Sequence, residues 1–170
     1  MPSNESISPV RAAAAKRSVS ALDPAAARRR MVSGSRGDIA VKRAREPVGN
    51  DDGIRVLVDR LWPRGLTREE VTVDLWLKDA APSAALRRWY GHDPSRWASF
   101  ARKYRAELAE RVDLLRLLDG LCRRGRVTLV FDASSALRNN AVVLHDVLAE
   151  RRRRAAPLQQ GAEPCKQKTS

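Results

Sequence analysis

The sequence predicts an α/β fold, in which a small single domain has a mostly parallel sheet of few strands with helices packed on it. Two short runs rich in β-branched residues, 55–61 and 127–132, are typical of buried strands. A long helical segment separates them, and a connection of that length permits parallel pairing through a crossover. The chain of 170 residues is the size of one domain.

Weaker patterns place the elements around these two strands. Residues 39–44 alternate between apolar and polar side chains and indicate a first, shorter strand, and residues 46–53 form a turn-rich loop. The strand over 55–61 must end at the Trp-Pro-Arg-Gly segment that follows, because proline has no amide hydrogen to give to a central strand.

Helix signals occupy most of the connection between the two strands. Residues 67–70 carry a capping-box pattern, and residues 83–91 predict a short helix with a serine cap and a terminal glycine. Asp93-Pro94 opens an amphipathic segment that continues to Gly125. About thirty residues is long for one globular helix, so we expect a break near residues 111–113.

The net charge of +13 is concentrated at the two ends of the chain. Residues 1–37 carry +5 and residues 151–170 carry +5, whereas residues 38–150 carry only +3. We therefore predict disordered tails over 1–37 and 153–170 and a folded domain over 38–152. Basic tails bind nucleic acid weakly and without sequence preference; the alternative is that they are merely solvated ends.

The composition predicts a cytoplasmic protein that contains no metal or other cofactor. No apolar run approaches the roughly 18 residues that span a bilayer. Cys122 and Cys165 lie far apart and show no zinc-binding spacing, which favours a reducing compartment. Residues 1–37 also resemble a transit peptide in composition, and Met31 is an alternative start.

Parallel strands would bring the polar residues that follow them to one edge of the sheet, where ligands bind in open α/β folds. Asp59 and Asp132 are the candidate catalytic residues there, as bases or as holders of a polar ligand group. The last helix begins at this edge, and its first amides favour an anion. The candidate ligand-binding residues are Arg60, Trp62, Arg64, Asn139 and Asn140. The alternative is that Asp59 forms structural ion pairs with Arg60 or Arg64.

Four segments resemble the DUF488 family, in particular the small bacterial YeaO-like proteins. They are RVLVDRLWPRG, LWLKDAAPS, LRRWYGHDPSRWASFARKYRAEL and VTLVFDASSALRNNAVVL, within residues 39–150. The resemblance implies a single α/β domain in a cytosolic bacterial protein, with no agreed activity. It adds Gly65 and Lys78 to the candidate ligand-binding residues.

The sequence departs from the family pattern after the second buried strand. Ser134 and Ser135 stand where relatives often carry a basic residue followed by an acid or amide, and Asn140 stands where some have His. A mechanism that depends on those charges would therefore be absent or altered here.

Three functions follow from these features, and the sequence leaves open whether the protein is an enzyme. The first is binding or processing of a small anionic ligand, phosphate-bearing or nucleotide-like, at the carboxyl ends of the strands. The second is association with nucleic acid through the basic tails. The third is a protein-interaction module in which Trp62, Trp76 or Trp89 forms an exposed patch. The oligomeric state is not predicted.

Overall fold

The computed structural model describes residues 19–21, as backbone, and residues 37–155. Five strands form one sheet in the order β1-β4-β3-β5-β2. They are β1 (Val19–Ala21), β2 (Ile39–Arg43), β3 (Ile54–Leu57), β4 (Leu75–Leu77) and β5 (Val127–Phe131). The predicted disordered tails lie outside the described residues, apart from β1 and the last residues of the final helix.

Five α-helices are described in residues 37–155. They are α1 (Arg68–Val71), α2 (Ala84–Tyr90), α3 (Trp97–Ala109), α4 (Val112–Arg124) and α5 (Asn140–Ala155). Short 3₁₀ turns at Lys78–Ala80 and Pro94–Arg96 complete the connections. Within the described part of the chain, no helix has both the length and the apolar character needed to cross a membrane.

The pairing of β3 with β5 confirms the predicted parallel arrangement. Ile54 lies opposite Val127, and the register continues to Leu57 opposite Val130. β5 also pairs in parallel with β2, and β3 with β4, whereas the edge strand β1 is antiparallel. The carboxyl ends of four strands therefore meet at one edge of the sheet.

The helix boundaries follow the predicted caps. The Thr67 hydroxyl accepts from the Glu70 amide at 3.3 Å, and the Glu70 carboxylate accepts from the Thr67 amide at 2.7 Å. Ser83 caps α2 through a 3.1 Å bond from the Leu86 amide, and Gly91 ends α2 at φ 51°. The expected break is confirmed, because α3 ends at Ala109 and α4 begins at Val112.

Two strand predictions need correction. The strand predicted over residues 55–61 ends at Leu57, although the Val58 amide still donates to the Val130 carbonyl at 3.0 Å. The backbone leaves the sheet at Asp59. The Asp59 carboxylate instead accepts a hydrogen bond from the amide of Asp132, the residue that follows β5. Strand β4 was not predicted, because three residues are too few to establish a period-two pattern.

Alternate residues of β3 contact two different layers. Ile54, Val56 and Val58 join the large core beneath helices α2 to α5. Leu57 joins a smaller cluster with Val71, beneath the segment that contains α1. The two layers hold β3 rigidly, and the polar loop that follows it starts from a fixed position.

Candidate functional site

A cavity of about 400 Å³ lies beyond the carboxyl ends of β3 and β5. Its walls come from the loop that follows β3, from α2, and from the loop between β5 and α5. Ala81 and Pro82, which precede α2, and His92 and Phe100, which follow it, also line the cavity. A volume of this size holds a small metabolite.

Asp59 joins the three elements that meet below the cavity. Its Oδ2 accepts from the Asp132 amide at 2.7 Å, and its Oδ1 accepts from Asn140 Nδ2 at 3.1 Å. Its backbone carbonyl accepts from Trp76 Nε1 at 2.8 Å. Both carboxylate oxygens are therefore used within the protein, which ties the end of β3 to β5 and to the start of α5.

Burial raises the pKa of Asp59 above the ordinary aspartate value. The hydrogen bonds from Asp132 and Asn140 oppose this rise, and the neighbouring Asp132 carboxylate adds to it. Arg87 lowers the pKa by electrostatic attraction across the cavity. Burial at this position therefore disfavours the charged form of the Asp59 carboxylate. The hydrogen-bond donors and Arg87 partly compensate this effect.

Asp132 lies beside Asp59 and is more open to solvent. Its side chain is 27% exposed, and Arg45 Nε lies 3.7 Å from its Oδ1. Arg45 also donates to the Arg64 carbonyl at 2.8 Å. Arg45 therefore links Asp132 to the loop that follows β3.

The side chains of the two asparagines at the start of α5 bond mainly to backbone groups of neighbouring segments. Asn139 Nδ2 donates to the carbonyls of Ser135 and Ala136 at 2.9 and 3.0 Å, and its Oδ1 caps the helix by accepting from the Val142 amide at 3.0 Å. Asn140 Nδ2 donates to the Val58 carbonyl at 3.0 Å as well as to Asp59. Direct contact of either amide with a ligand stays a prediction.

Hydrogen bonds at Ser134 and Ser135 hold the loop between β5 and α5. The Ser134 carbonyl accepts from Arg43 Nη2 at 2.5 Å. The Ser135 hydroxyl accepts from the Arg138 amide at 3.1 Å. The Ser134 backbone and the Ser135 side chain therefore help to fix the loop that carries Arg138 into the cavity wall.

Four arginines of the described residues line the cavity, and three of them have no ion pair with another described residue. The side chain of Arg60 is 53% exposed and lies 3.4 Å from the Asp79 carboxylate, a weak surface pair. No ion pair or hydrogen bond is described for the guanidinium groups of Arg64, Arg87 and Arg138 within residues 37–155. The described lining of the cavity thus contains four arginines and two aspartates, so the positively charged groups outnumber the acidic ones.

Aromatic rings form another part of the wall. Tyr90 is 5% exposed and stacks on Phe100, with ring centroids 4.3 Å apart. The His92 ring lies 5.6 Å from that of Tyr90, and His92 has a positive φ of 58°. Non-glycine residues rarely adopt this conformation, and such strain is most frequent at functional sites. A cavity with aromatic and cationic walls suits a ligand that has a planar group and an anionic group.

Most of the predicted site residues line this cavity. Those that do are Asp59, Arg60, Trp62, Arg64, Asp132, Asn139 and Asn140. Gly65 and Lys78 lie outside the lining; Lys78 Nζ instead lies 4.0 Å from the centre of the Trp76 ring. The role of Gly65 and Lys78 in ligand binding is therefore still untested.

Four residues that line the cavity were not among the predicted ligand-binding residues, namely Arg87, Tyr90, His92 and Arg138. Arg87 and Tyr90 are three positions apart on α2, so they share one helix face. The spacing of the two residues is visible in the sequence. It does not show, however, that this face of α2 is directed toward the carboxyl edge of the sheet.

Two further features of the described residues bear on function. No group of three or more His, Cys, Asp or Glu side chains within them could hold a metal ion. Of the three tryptophans considered for an interaction patch, Trp62 and Trp76 pack together with ring centroids 5.3 Å apart, whereas Trp89 is 37% exposed.

The fold and the cavity define a small α/β protein with a cationic site at the carboxyl edge of its sheet. The family model described as the inactive DUF488-N3 subclade matches residues 38–167. The chain therefore belongs to the DUF488 family, which confirms the resemblance found in its motifs.

Similar proteins occur in several bacteria. An uncharacterized protein of Mycobacterium tuberculosis, Rv3073c, is 43% identical over 112 residues, which cover 65% of this chain and 92% of that protein. The uncharacterized protein YeaO of Escherichia coli is 36% identical over 111 residues, which cover 65% of this chain and 96% of that protein. No solved structure matches the chain significantly.

Proposed function

We propose that the protein binds a small anionic, nucleotide-like ligand in the cavity at the carboxyl edge of the sheet, and that it binds this ligand without transforming it. The observation that carries the proposal is the convergence of Arg64, Arg87 and Arg138 on one cavity without ion pairs to other described residues. Guanidinium groups recognise phosphate through paired, charge-assisted hydrogen bonds.

The aromatic wall supports a nucleotide-like ligand over a bare phosphate. Tyr90 lies on the cavity side of the α2 helix and is fixed by its stacking on Phe100. A planar base placed against such rings gains apolar contact and stacking, while its phosphate reaches the arginines.

Binding without catalysis is supported by the state of the two candidate catalytic carboxylates. Both oxygens of Asp59 already accept hydrogen bonds from protein groups, so this carboxylate has a structural task in holding β3, β5 and α5 together. Asp132 is paired with Arg45, whose Nε lies 3.7 Å from its Oδ1. The description of the matching family model as inactive points in the same direction.

A phosphate-bearing ligand also agrees with the cytoplasmic location that the sequence predicts, because nucleotides are most abundant there. We therefore include a cytoplasmic location in the proposal.

Calorimetric titration with adenosine monophosphate tests the proposed function. We expect saturable binding that weakens as salt rises, because the contacts are between charges. Arg87→Ala should weaken binding by about tenfold, since a charge-assisted hydrogen bond to phosphate contributes about 1.5 kcal/mol or more.

Arg88→Ala is the matched control for this substitution. Arg88 is the next residue of the same helix and is also exposed, but it does not line the cavity. Its replacement should leave affinity unchanged. If no phosphorylated compound binds, or if both variants lose affinity equally, the cavity is not the ligand site.

A second candidate function is association with nucleic acid through the basic tails. It is favoured by the charge of +10 carried by residues 1–37 and 151–170 together. Such binding should weaken steeply with salt and should be lost when the chain is trimmed to residues 38–150. Equal binding by the trimmed and the full chain would exclude the tails as the cause.

A further inference from the structure

A second cavity of about 480 Å³ adjoins the first. The two cavities share four lining residues, Arg60, Ala81, Pro82 and Arg87. The same side chains border both spaces, so the two cavities are neighbours, and we refer to them as the first and second lobes. Arg60 and Arg87 lie at the boundary between the two lobes.

The second lobe has a rigid wall. Arg111 Nη1 donates to the carbonyls of Asp79 and Ala81 at 2.6 and 2.7 Å, and its Nη2 donates to Glu107 at 3.0 Å. The same Glu107 oxygen accepts from the Ser83 amide at 2.8 Å. This network fixes the segment before α2, so the second lobe keeps its shape without a ligand.

Arg60 and Arg87 are the more weakly held cations of the junction. Arg111 is held by three groups of the wall, whereas Arg60 has one weak pair with Asp79 at 3.4 Å. Arg87 has no ion pair described within residues 37–155. Both arginines can therefore turn toward an anion that passes from one lobe to the other.

The two lobes differ in chemistry. The lining of the first lobe contains Tyr90, Phe100 and Trp62, whereas the described lining of the second contains no aromatic residue. Three of the eight described residues that line the second lobe are arginines, namely Arg60, Arg87 and Arg111, and one is an acid, Asp79. The second lobe thus suits a chain of anionic groups better than a second base.

From this arrangement we infer that the ligand is a nucleoside polyphosphate. The base occupies the aromatic lobe, and the phosphate chain passes between Arg60 and Arg87 into the second lobe. This inference rests on the proposed function, which requires only one phosphate in the first lobe. It adds that each phosphate after the first increases the affinity.

Titrations with adenosine mono-, di- and triphosphate test the inference. We expect the diphosphate to bind about tenfold more tightly than the monophosphate, because its second phosphate gains charge-assisted bonds from the junction arginines. Arg60→Ala should remove most of this difference. Arg138→Ala should weaken all three ligands by a similar factor, because Arg138 lines only the first lobe.

A substitution in the second lobe separates the two proposals. Ala84 is an exposed residue at the start of α2 that lines the second lobe but not the first. Ala84→Glu places a carboxylate there, and an acidic residue in the first turn of a helix is favourable for folding. It should weaken the di- and triphosphate about tenfold and leave monophosphate affinity unchanged. Ala85→Glu, one residue further on and outside both lobes, is the matched control.

The outcomes distinguish the inference from the proposed function. Equal affinity for all three nucleotides, or an Ala84→Glu variant that binds them all like the wild type, overturns the polyphosphate inference and leaves the proposed function standing. Absence of binding by all three overturns both.

Discussion

Replacing Asp59 by asparagine tests whether this carboxylate holds the scaffold together. Asparagine keeps the size of the side chain but has one acceptor oxygen in place of two. One of the two donors, the Asp132 amide or Asn140 Nδ2, would then face the new NH₂ group without an acceptor. We therefore expect Asp59→Asn to destabilise the protein.

The magnitude follows from two opposing contributions. A hydrogen bond to a charged acceptor contributes about 1.5–3 kcal/mol, and Asp59→Asn removes one such bond. The substitution also relieves the cost of burying a carboxylate beside Asp132, which is the main cause of the raised pKa of Asp59. We expect a net loss of about 1–2 kcal/mol at pH 7, which lowers the urea midpoint by about 0.5–1 M.

The penalty should depend on pH. Because the pKa of Asp59 is raised in the folded protein, the folded state retains this proton more tightly than the unfolded chain does. The stability that wild-type Asp59 contributes is therefore greatest below the ordinary aspartate pKa and decreases as pH rises from about 4 toward the folded-state value. Urea unfolding should accordingly show a larger penalty for Asp59→Asn at pH 4 than at pH 7.

Asp79→Asn is the matched control for this measurement. The Asp79 side chain is 47% exposed and forms one weak pair with Arg60. Its replacement should change stability by less than about 0.5 kcal/mol. The structural role of Asp59 would be refuted by an Asp59→Asn variant as stable as wild type across this pH range.

Three further substitutions test other parts of the fold by urea unfolding. Arg55 is fully buried and bonds Asp52 at 2.5 Å, so Arg55→Met should cost about 3 kcal/mol; a neutral result would mean that the pair is dispensable. At Gly53, where φ is 63°, an added Cβ would lie 2.1 Å from the Arg126 carbonyl oxygen. Gly53→Ala should therefore cost about 2 kcal/mol or more, and an unchanged midpoint would contradict this backbone geometry. Ser83→Ala removes a helix cap and should cost about 1 kcal/mol; no loss would show that the cap is redundant.

Local signals in the sequence predicted the elements whose cause lies within a few residues. The capping box that ends in Glu70 and the serine cap at Ser83 depend on hydrogen bonds between neighbours in the chain. The parallel pairing of β3 with β5 is one that the connection length permits and that the strand composition favours. The sequence alone therefore sufficed to place Asp59 beside Asp132.

The features that the sequence did not reveal depend on contacts between distant segments. Strand β4 is too short to have a pattern of its own and is defined by its pairing with β3 and β1. The presence of Arg87 and Arg138 in the cavity depends on how α2 and the loop before α5 are placed on the sheet. The engagement of both Asp59 oxygens likewise emerges only when three elements are brought together.

A crystal structure of the protein with adenosine diphosphate is the most direct measurement of where the ligand binds. We expect the base beside Tyr90 in the first lobe and the diphosphate between Arg60 and Arg87, with Asp59 still bonded to the Asp132 amide. Adenosine diphosphate bound elsewhere on the protein, with both lobes empty, would contradict it.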